Sequence, residues 1–377
     1  MFRKPAGIGT CPRKKKQRYS MDISRLIRKE IRAQKPYAVE ELSCPIKLDA
    51  NENSYVLPAD IRDDLLGRLK NIELNRYPEA GSPTLRARMA AHFDVPAEEI
   101  IVGNGSDELI QILCATLAGP SATVLAPFPT FVMYRITALN CGCRVVEVPL
   151  DDRFDLDLAA MLAVIRKDQP VLTFLSYPNN PTGNCFDAGK IEEIISASPG
   201  VVVVDEAYFP FSRQTFIPML KKHDNLVILR TLSKLGFAAI RVGFLLGSRT
   251  LVGELNKVRL PYNINSLSQI MATCYLDHEQ AFEDQSDRVR AGREYLFSRL
   301  ALMKGIRPLK SAANFLFFCC DFDSYRIYDY LLDQGILIKN FPILGDLRNC
   351  MRVTVGNPGE NEEFLRALQE FIAKQGV

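Results

Sequence analysis

A lysine between a hydroxyl and a downstream arginine opens the chemistry of this chain. The stretch Thr231-Leu232-Ser233-Lys234-Leu235-Gly236-Phe237-Ala238-Ala239-Ile240-Arg241-Val242-Gly243 follows directly on the apolar run Leu226-Val227-Ile228-Leu229. A Lys at the end of a strand can become a nucleophilic amine once burial and positive neighbours lower its pKa. Arg241 offers a planar, permanently charged fork for a phosphate, and Ser233 adds a hydroxyl. Such a trio suits a Schiff-base lysine whose cofactor carries a phosphate. In isolation the same residues also describe an ordinary basic loop.

Four further groups sit where apolar runs stop. Ile100-Ile101-Val102-Gly103-Asn104-Gly105-Ser106-Asp107-Glu108 reads as a strand, a glycine-rich turn and a helix N-capped by Ser106. The amides of that helix start would hold an anion, and the glycines would let it approach. Glu108 occupies the place of a third glycine, so this is not a dinucleotide fingerprint; a capped helix without ligand fits as well. Phe131, beyond Val124-Leu125-Ala126, can stack on a flat ring or belong to the core. Asn180 lies in Ser176-Tyr177-Pro178-Asn179-Asn180-Pro181-Thr182-Gly183, a tight turn after a buried strand, where its amide can meet a phenolic oxygen. Asp205 ends Val201-Val202-Val203-Val204 and is followed by Glu206-Ala207-Tyr208. Burying that acid is costly without a cationic partner, and a protonated heteroaromatic nitrogen would supply one; a structural Asp with a backbone partner is the competing reading. A stacking aromatic, an Asn, a buried Asp, a Tyr, a Schiff-base Lys and an Arg clamp, in this order, fit pyridoxal 5'-phosphate better than any other cofactor.

The elements that must position these groups are those of an α/β fold. Strands are predicted at Ala122–Ala126, Arg144–Val148, Val171–Leu175, Val201–Val204, Leu226–Leu229 and Val242–Leu246. Helices are predicted at Asp107–Leu117, Leu158–Arg166, Ala188–Ala197 and Leu251–Arg259. The alternation implies a mainly parallel sheet flanked by helices. The four consecutive valines imply a central strand covered on both faces. Past residue 280 the texture changes to a long helix (Asp284–Met303), a strand (Asn314–Cys319), a helix (Ser324–Gln334), short strands near Ile336–Ile338 and Met351–Val355, and a last helix (Gly359–Lys374). That pattern predicts a large domain over residues 51–280 and a smaller α+β domain over 281–377, which an N-terminal arm at 21–50 joins. Residues 1–20, with Lys14-Lys15-Lys16 among Pro, Gly and Arg, lack an apolar h-region and are expected to form a disordered basic tail. From Asp22 the apolar residues Ile23, Leu26, Ile27 and Ile31 have helical spacing.

Composition narrows the function class. The chain has 377 residues, 47% hydrophobic and 24% charged, with a net charge of +3, so nothing points to nucleic acid. No apolar run is long enough to span a bilayer. Ten cysteines are scattered without a C-x-x-C pair and the three histidines are far apart, which argues against zinc and for free thiols in a reducing cytoplasm.

Together these motifs resemble those of the fold-type I pyridoxal-phosphate aminotransferases from about Tyr37 to the C-terminus, and more closely the histidinol-phosphate aminotransferases. Asn179-Asn180-Pro181-Thr182-Gly183, Asp205-Glu206-Ala207-Tyr208 and Ser233-Lys234 with Arg241 carry the superfamily likeness. Leu48-Asp49-Ala50-Asn51-Glu52-Asn53, Arg76-Tyr77-Pro78, Pro261-Tyr262-Asn263-Ile264-Asn265 and Met351-Arg352-Val353-Thr354-Val355-Gly356 carry the closer one. The resemblance implies that Lys234 forms the Schiff base and shuttles the proton, and that Asp205 holds the pyridinium nitrogen. Asn180 and Tyr208 would reach the ring oxygen, and Phe131 would stack where many relatives have Tyr. Ser106, Asp107, Ser233 and Arg241 would surround the phosphate. Tyr77 would reach the phosphate of a neighbouring subunit, which implies a homodimer. Arg352, Tyr37, Lys339 and Asn51 would serve the substrates, Lys339 standing where some relatives have Arg. The interval from Lys234 to Arg241 is one residue shorter than in many aminotransferases, and Gly236 gives the loop freedom to absorb this. The implied reaction interconverts L-histidinol phosphate plus 2-oxoglutarate with imidazole-acetol phosphate plus L-glutamate. The alternatives are an aromatic amino-acid aminotransferase and a decarboxylase of a phosphorylated amino acid on the same scaffold.

Overall fold

The computed structural model describes residues 22–36, 42–119 and 121–375. The chain divides into two units, Met1–Val39 and Glu40–Val377. In the first, Asp22 caps a short 3-10 turn, Ile23–Leu26, and a one-turn helix follows at Lys29–Arg32. The continuous helix suggested by the apolar spacing does not form, because Ile27 and Arg28 turn extended, with ψ of 131° and 141°.

The second unit holds two sheets. The larger is built from β2 (Ile100–Gly103), β3 (Thr123–Phe128), β4 (Arg144–Pro149), β5 (Leu172–Ser176), β6 (Val201–Asp205), β7 (Leu226–Thr231) and β8 (Gly243–Gly247), in the order β2-β8-β7-β6-β5-β3-β4. Pairing is parallel from β4 through β7, while β8 runs antiparallel to both β7 and β2. The smaller sheet has β1 (Ile46–Leu48), β9 (Ile306–Pro308), β10 (Phe315–Cys320), β11 (Ile336–Leu344) and β12 (Leu347–Thr354), in the order β1-β11-β12-β10-β9. The fold is α/β with a mainly parallel sheet, as the sequence pattern requires.

Continuous apolar strands are explained by the two cores they feed. Val202, Val204 and Ile228 pack on one side of the large sheet against Ile61, Met89, Met161 and Ile191. Val203, Val227 and Leu229 pack on the other side against Leu109, Leu113, Tyr134 and Val252. Each fully buried side chain of this size contributes roughly 1.5–3 kcal/mol relative to exposure. The large sheet is therefore a rigid platform, and the carboxyl ends of its parallel strands, at Phe128, Ser176, Asp205 and Thr231, all open on one edge. Gly103, the end of β2, pairs with Gly243 on that edge.

Cysteine usage differs from the sequence reading at one point. Cys319 and Cys350 are joined as a disulfide. They are direct partners in the antiparallel β10–β12 register, with Cα atoms 4.1 Å apart, a proximity that 31 residues of separation conceals. Cys44, Cys114, Cys141, Cys143, Cys185, Cys274 and Cys320 are free.

Candidate active site

The lysine, the acid and the arginine converge on the carboxyl edge of the large sheet. Lys234 sits in a single 3-10 turn, Ser233–Leu235, that leaves β7. Its Nζ lies 3.4 Å from the carbonyl oxygen of Ala50 and 5.9 Å from the centre of the Tyr208 ring. Burial, then the charge of Arg352, brings the pKa of its amine down to about 8. At pH 7 about a tenth of the amine is then uncharged and nucleophilic.

Next to the lysine lies a cradle for an anion. Arg241 Nη1 donates to Ser233 Oγ at 3.2 Å, and Nη2 pairs with Asp107 at 2.9 Å. The helix Ser106–Leu117 starts there, but its N-cap is Gly105, not Ser106. Gly105 takes φ of 83°, a left-handed value that glycine adopts without strain, and a Cβ on it would come within 2.6 Å of the Arg241 guanidinium. Moving the cap back one residue makes Ser106 the first helical residue, so its N–H joins the unpaired amides of the first turn. The short Lys234–Arg241 interval closes through two left-handed residues, Gly236 at φ 92° and Arg241 at φ 51°.

Asp205, only 3% exposed, closes the other side. Its Oδ1 accepts the Ala207 amide at 3.1 Å and its Oδ2 accepts the Tyr134 hydroxyl at 2.7 Å. Among the described residues no ion pair reaches it, and burial pushes its pKa up to about 6. The backbone partner weighed as an alternative is real, yet it leaves this buried carboxylate without a cation.

Tyr208 is held by two amides. Asn51 Nδ2 donates to its oxygen at 2.9 Å and Asn180 Nδ2 at 3.3 Å. A phenol has two acceptor lone pairs and one proton, so with both lone pairs used the O–H is left to donate. Asn180 is oriented by Arg352, whose Nη1 donates to Asn180 Oδ1 at 2.6 Å while Nη2 donates to the Asp49 carbonyl at 2.6 Å. Arg352 also lies 5.3 Å from the Phe315 ring centre. The other Asn of the motif, Asn179, ties the loop itself, donating to the Pro129 carbonyl at 3.0 Å and to Thr182 at 2.8 Å.

The model of the family "Aminotransferase class I and II" matches residues 44–368. Histidinol-phosphate aminotransferase 2 of Nitrosococcus oceani is 43% identical over 350 residues, which is 92% of this chain and 97% of that one. Histidinol-phosphate aminotransferase 1 of Ralstonia nicotianae is 43% identical over 352 residues, 92% of this chain and 94% of that one. The chain belongs to the histidinol-phosphate aminotransferases, within aminotransferase class I and II. A crystal structure of histidinol-phosphate aminotransferase from Sinorhizobium meliloti, solved with pyridoxal-5'-phosphate, superposes with a TM-score of 0.84 at 23% identity, covering 93% of this chain and 98% of that one, and shows the same fold.

In this aminotransferase the remaining sequence candidates fall in three groups. Phe131 is the N-cap of the helix Val132–Asn140, half-buried and edge-on to Tyr134 at 5.4 Å. Lys339 on β11 is the direct cross-strand partner of Arg352 on β12 and is exposed. Tyr77 is 81% exposed and stacks on Tyr262 at 4.6 Å. Tyr37 lies outside the described residues. Asn51 is buried and spends its amide on Tyr208; it takes φ of 55°, and Thr354 and Asn314 fix its backbone at 3.0 Å each.

Sequence reasoning missed Tyr134 and the Glu206–Arg230 pair. Glu206 is 1% exposed and meets Arg230 at 2.8 Å behind the Asp205 and Lys234 loops. Tyr134 stands one helical turn after Phe131, the spacing that would have flagged it. One mixed cluster lies elsewhere: Asp64, Cys274 and His278 stand within 4.8 Å of one another, but Arg68 already forks onto the Asp64 carboxylate at 2.7 Å and neutralises it.

Proposed function

We propose that this aminotransferase binds pyridoxal 5'-phosphate at Lys234 and interconverts L-histidinol phosphate plus 2-oxoglutarate with imidazole-acetol phosphate plus L-glutamate. The observation that carries the reading is the partly neutral Lys234 amine, at about 8 in pKa, next to the Ser233–Arg241 anion cradle and in one site with a buried, cation-free Asp205. The residues fit the group: the left-handed Gly105 keeps the cradle open to a phosphate, and the Asp205 carboxylate suits a ring nitrogen that carries a proton.

When bound, the cofactor supplies an electron sink for the substrate's α-carbon electrons. Lys234 would hold it, and its amine would move the proton at the substrate α-carbon. Asp205 keeps the ring nitrogen protonated. The Tyr208 O–H, with Asn51 and Asn180 donating to its oxygen, would be free to donate to the ring oxygen. Phe131 covers one ring face, while Ser106, Asp107, Ser233 and Arg241 hold the phosphate, Asp107 offsetting part of the Arg241 charge at 2.9 Å. Arg352, with Lys339 opposite it, receives the anionic end of either substrate. In this reading the cofactor-holding residues belong to a large domain at 51–280, and Arg352 and Lys339 to a smaller one at 281–377.

The working unit in this reading is a homodimer in which Tyr77 reaches the neighbouring phosphate. The exposed Tyr77–Tyr262 stack, flanked by Leu74 at 83% and Leu260 at 69% exposure, supports it. Among the described residues no helix is long and apolar enough to cross a membrane, and a cytoplasmic location completes the reading.

Steady-state turnover tests the substrate. Glutamate formation from histidinol phosphate and 2-oxoglutarate, at a kcat/KM well above that for phenylalanine, is expected. Equal or better use of phenylalanine would make the enzyme a general aromatic aminotransferase. Release of CO2 without 2-oxoglutarate would make it a decarboxylase.

A further inference from the structure

Tyr134 belongs to none of the motifs, yet it touches the acid on which the proposed chemistry depends. Its hydroxyl donates to Asp205 Oδ2 at 2.7 Å, while Oδ1 takes the Ala207 amide at 3.1 Å. The ring is fully buried and lies flat on Phe174, with centroids 4.5 Å apart and an interplanar angle of 1°. Three elements therefore fix one oxygen. The helix Val132–Asn140 carries the ring, β5 supplies the Phe174 platform, and β6 presents Asp205, paired in register with Ser176 of β5. The phenol cannot act as an anion here, since burial and the Asp205 charge push its pKa well above the usual value. It is a fixed donor.

A carboxylate has about four lone-pair positions, two on each oxygen. Tyr134 and Ala207 occupy one on each, so the outward pair is left for a ring N–H. We propose that Tyr134 is a positioning residue that keeps Asp205 ionised and turned toward the ring nitrogen of the cofactor. The inference rests on the pyridoxal-phosphate reading. Without the hydroxyl, a carboxylate this far from water would take up a proton, and the ring nitrogen would lose its partner. The same helix would then serve the ring twice, through Phe131 at its face and through Tyr134 at its nitrogen.

The test binds ¹⁵N-labelled pyridoxal phosphate to wild type, Tyr134→Phe and Phe174→Leu, and reads the ring nitrogen by NMR. Tyr134→Phe removes one atom and keeps the stack on Phe174. Its nitrogen signal is expected to move from the protonated toward the neutral position, with cofactor affinity and kcat each down by about 10-fold or more, the loss of one hydrogen bond to a charged group, and KM little changed. Phe174→Leu loosens the packing but keeps the hydroxyl, and its nitrogen is expected to stay protonated. An unmoved nitrogen signal in Tyr134→Phe overturns the inference even if activity falls. A wild-type protein that takes up no cofactor overturns the reading beneath it as well.

Discussion

Replacing Arg230 with Met would strand a carboxylate in the core. Glu206 and Arg230 are 1% and 6% exposed and meet at 2.8 Å. Arg230 also donates to Thr215 at 3.0 Å and lies 3.5 Å from the centre of the Phe209 ring. The carboxylate keeps the Phe216 amide at 2.6 Å and the Thr215 hydroxyl at 2.9 Å, but these are neutral donors. Removing one partner of a buried pair costs about 3–5 kcal/mol, and both groups are too buried for solvent to screen the loss. With a denaturant slope at or above about 3 kcal/mol/M for a chain of this size, that is a fall of about 1 M in the urea midpoint. Burial already raises the Glu206 pKa above 4.5, and Arg230 is what holds it down. In Arg230→Met the folded-state pKa rises further. A raised folded-state pKa gives stability that is present below the unfolded value and lost as pH climbs. The deficit of the variant should thus be smaller near pH 5 than near pH 8. Urea unfolding of the holoenzyme followed by tyrosine fluorescence measures it, since the chain has no Trp. The double replacement Glu206→Gln with Arg230→Met should recover much of the loss, because no bare charge remains. A single variant within about 1 kcal/mol of wild type at both pH values would refute the reasoning, showing that Glu206 is not desolvated.

Arg352→Gln removes a cation that lowers the Lys234 pKa, so the pH at which cofactor attachment by the apoenzyme reaches half its maximal rate should rise above about 8, measured by stopped-flow absorbance; an unchanged profile would show that Arg352 does not act on Lys234. Gly105→Ala forces a side chain into left-handed backbone and against Arg241, and should weaken cofactor affinity at least about 10-fold by equilibrium dialysis with the fold intact. Asn51→Ala and Asn51→Gly both remove the donor to Tyr208, but only Ala strains the backbone at φ 55°, so Ala should be less stable than Gly by about 1 kcal/mol in urea unfolding.

What the sequence reveals follows from where the chemistry stands. Asp205, Asn180 and Lys234 each follow a run of apolar residues, so an ionisable or polar group at a buried strand end stands out without any structure. The same runs fix the α/β alternation. Tyr134 does not stand out, because a tyrosine on an apolar helix reads as core until the carboxylate it meets, 71 residues away, is brought beside it. Arg230 reads as the polar end of an apolar strand until the fold seals it against Glu206. Cys319 and Cys350 meet through the antiparallel β10–β12 register, and β12 begins four residues earlier than its apolar core suggests. The Ser106 cap slips to Gly105 because a left-handed glycine turns the chain into the helix without help from a side chain.

The central claim is that Lys234 carries the cofactor and that histidinol phosphate is the donor it serves. A single-turnover absorbance scan tests it most directly: the holoenzyme receives L-histidinol phosphate with no oxo acid, beside parallel runs with L-phenylalanine and with Lys234→Ala. The account predicts rapid conversion of the bound cofactor's visible band to that of pyridoxamine phosphate with histidinol phosphate, little or none with phenylalanine, and none in Lys234→Ala. A wild-type protein that forms no such band with pyridoxal phosphate, or a Lys234→Ala variant that converts at the wild-type rate, would contradict it.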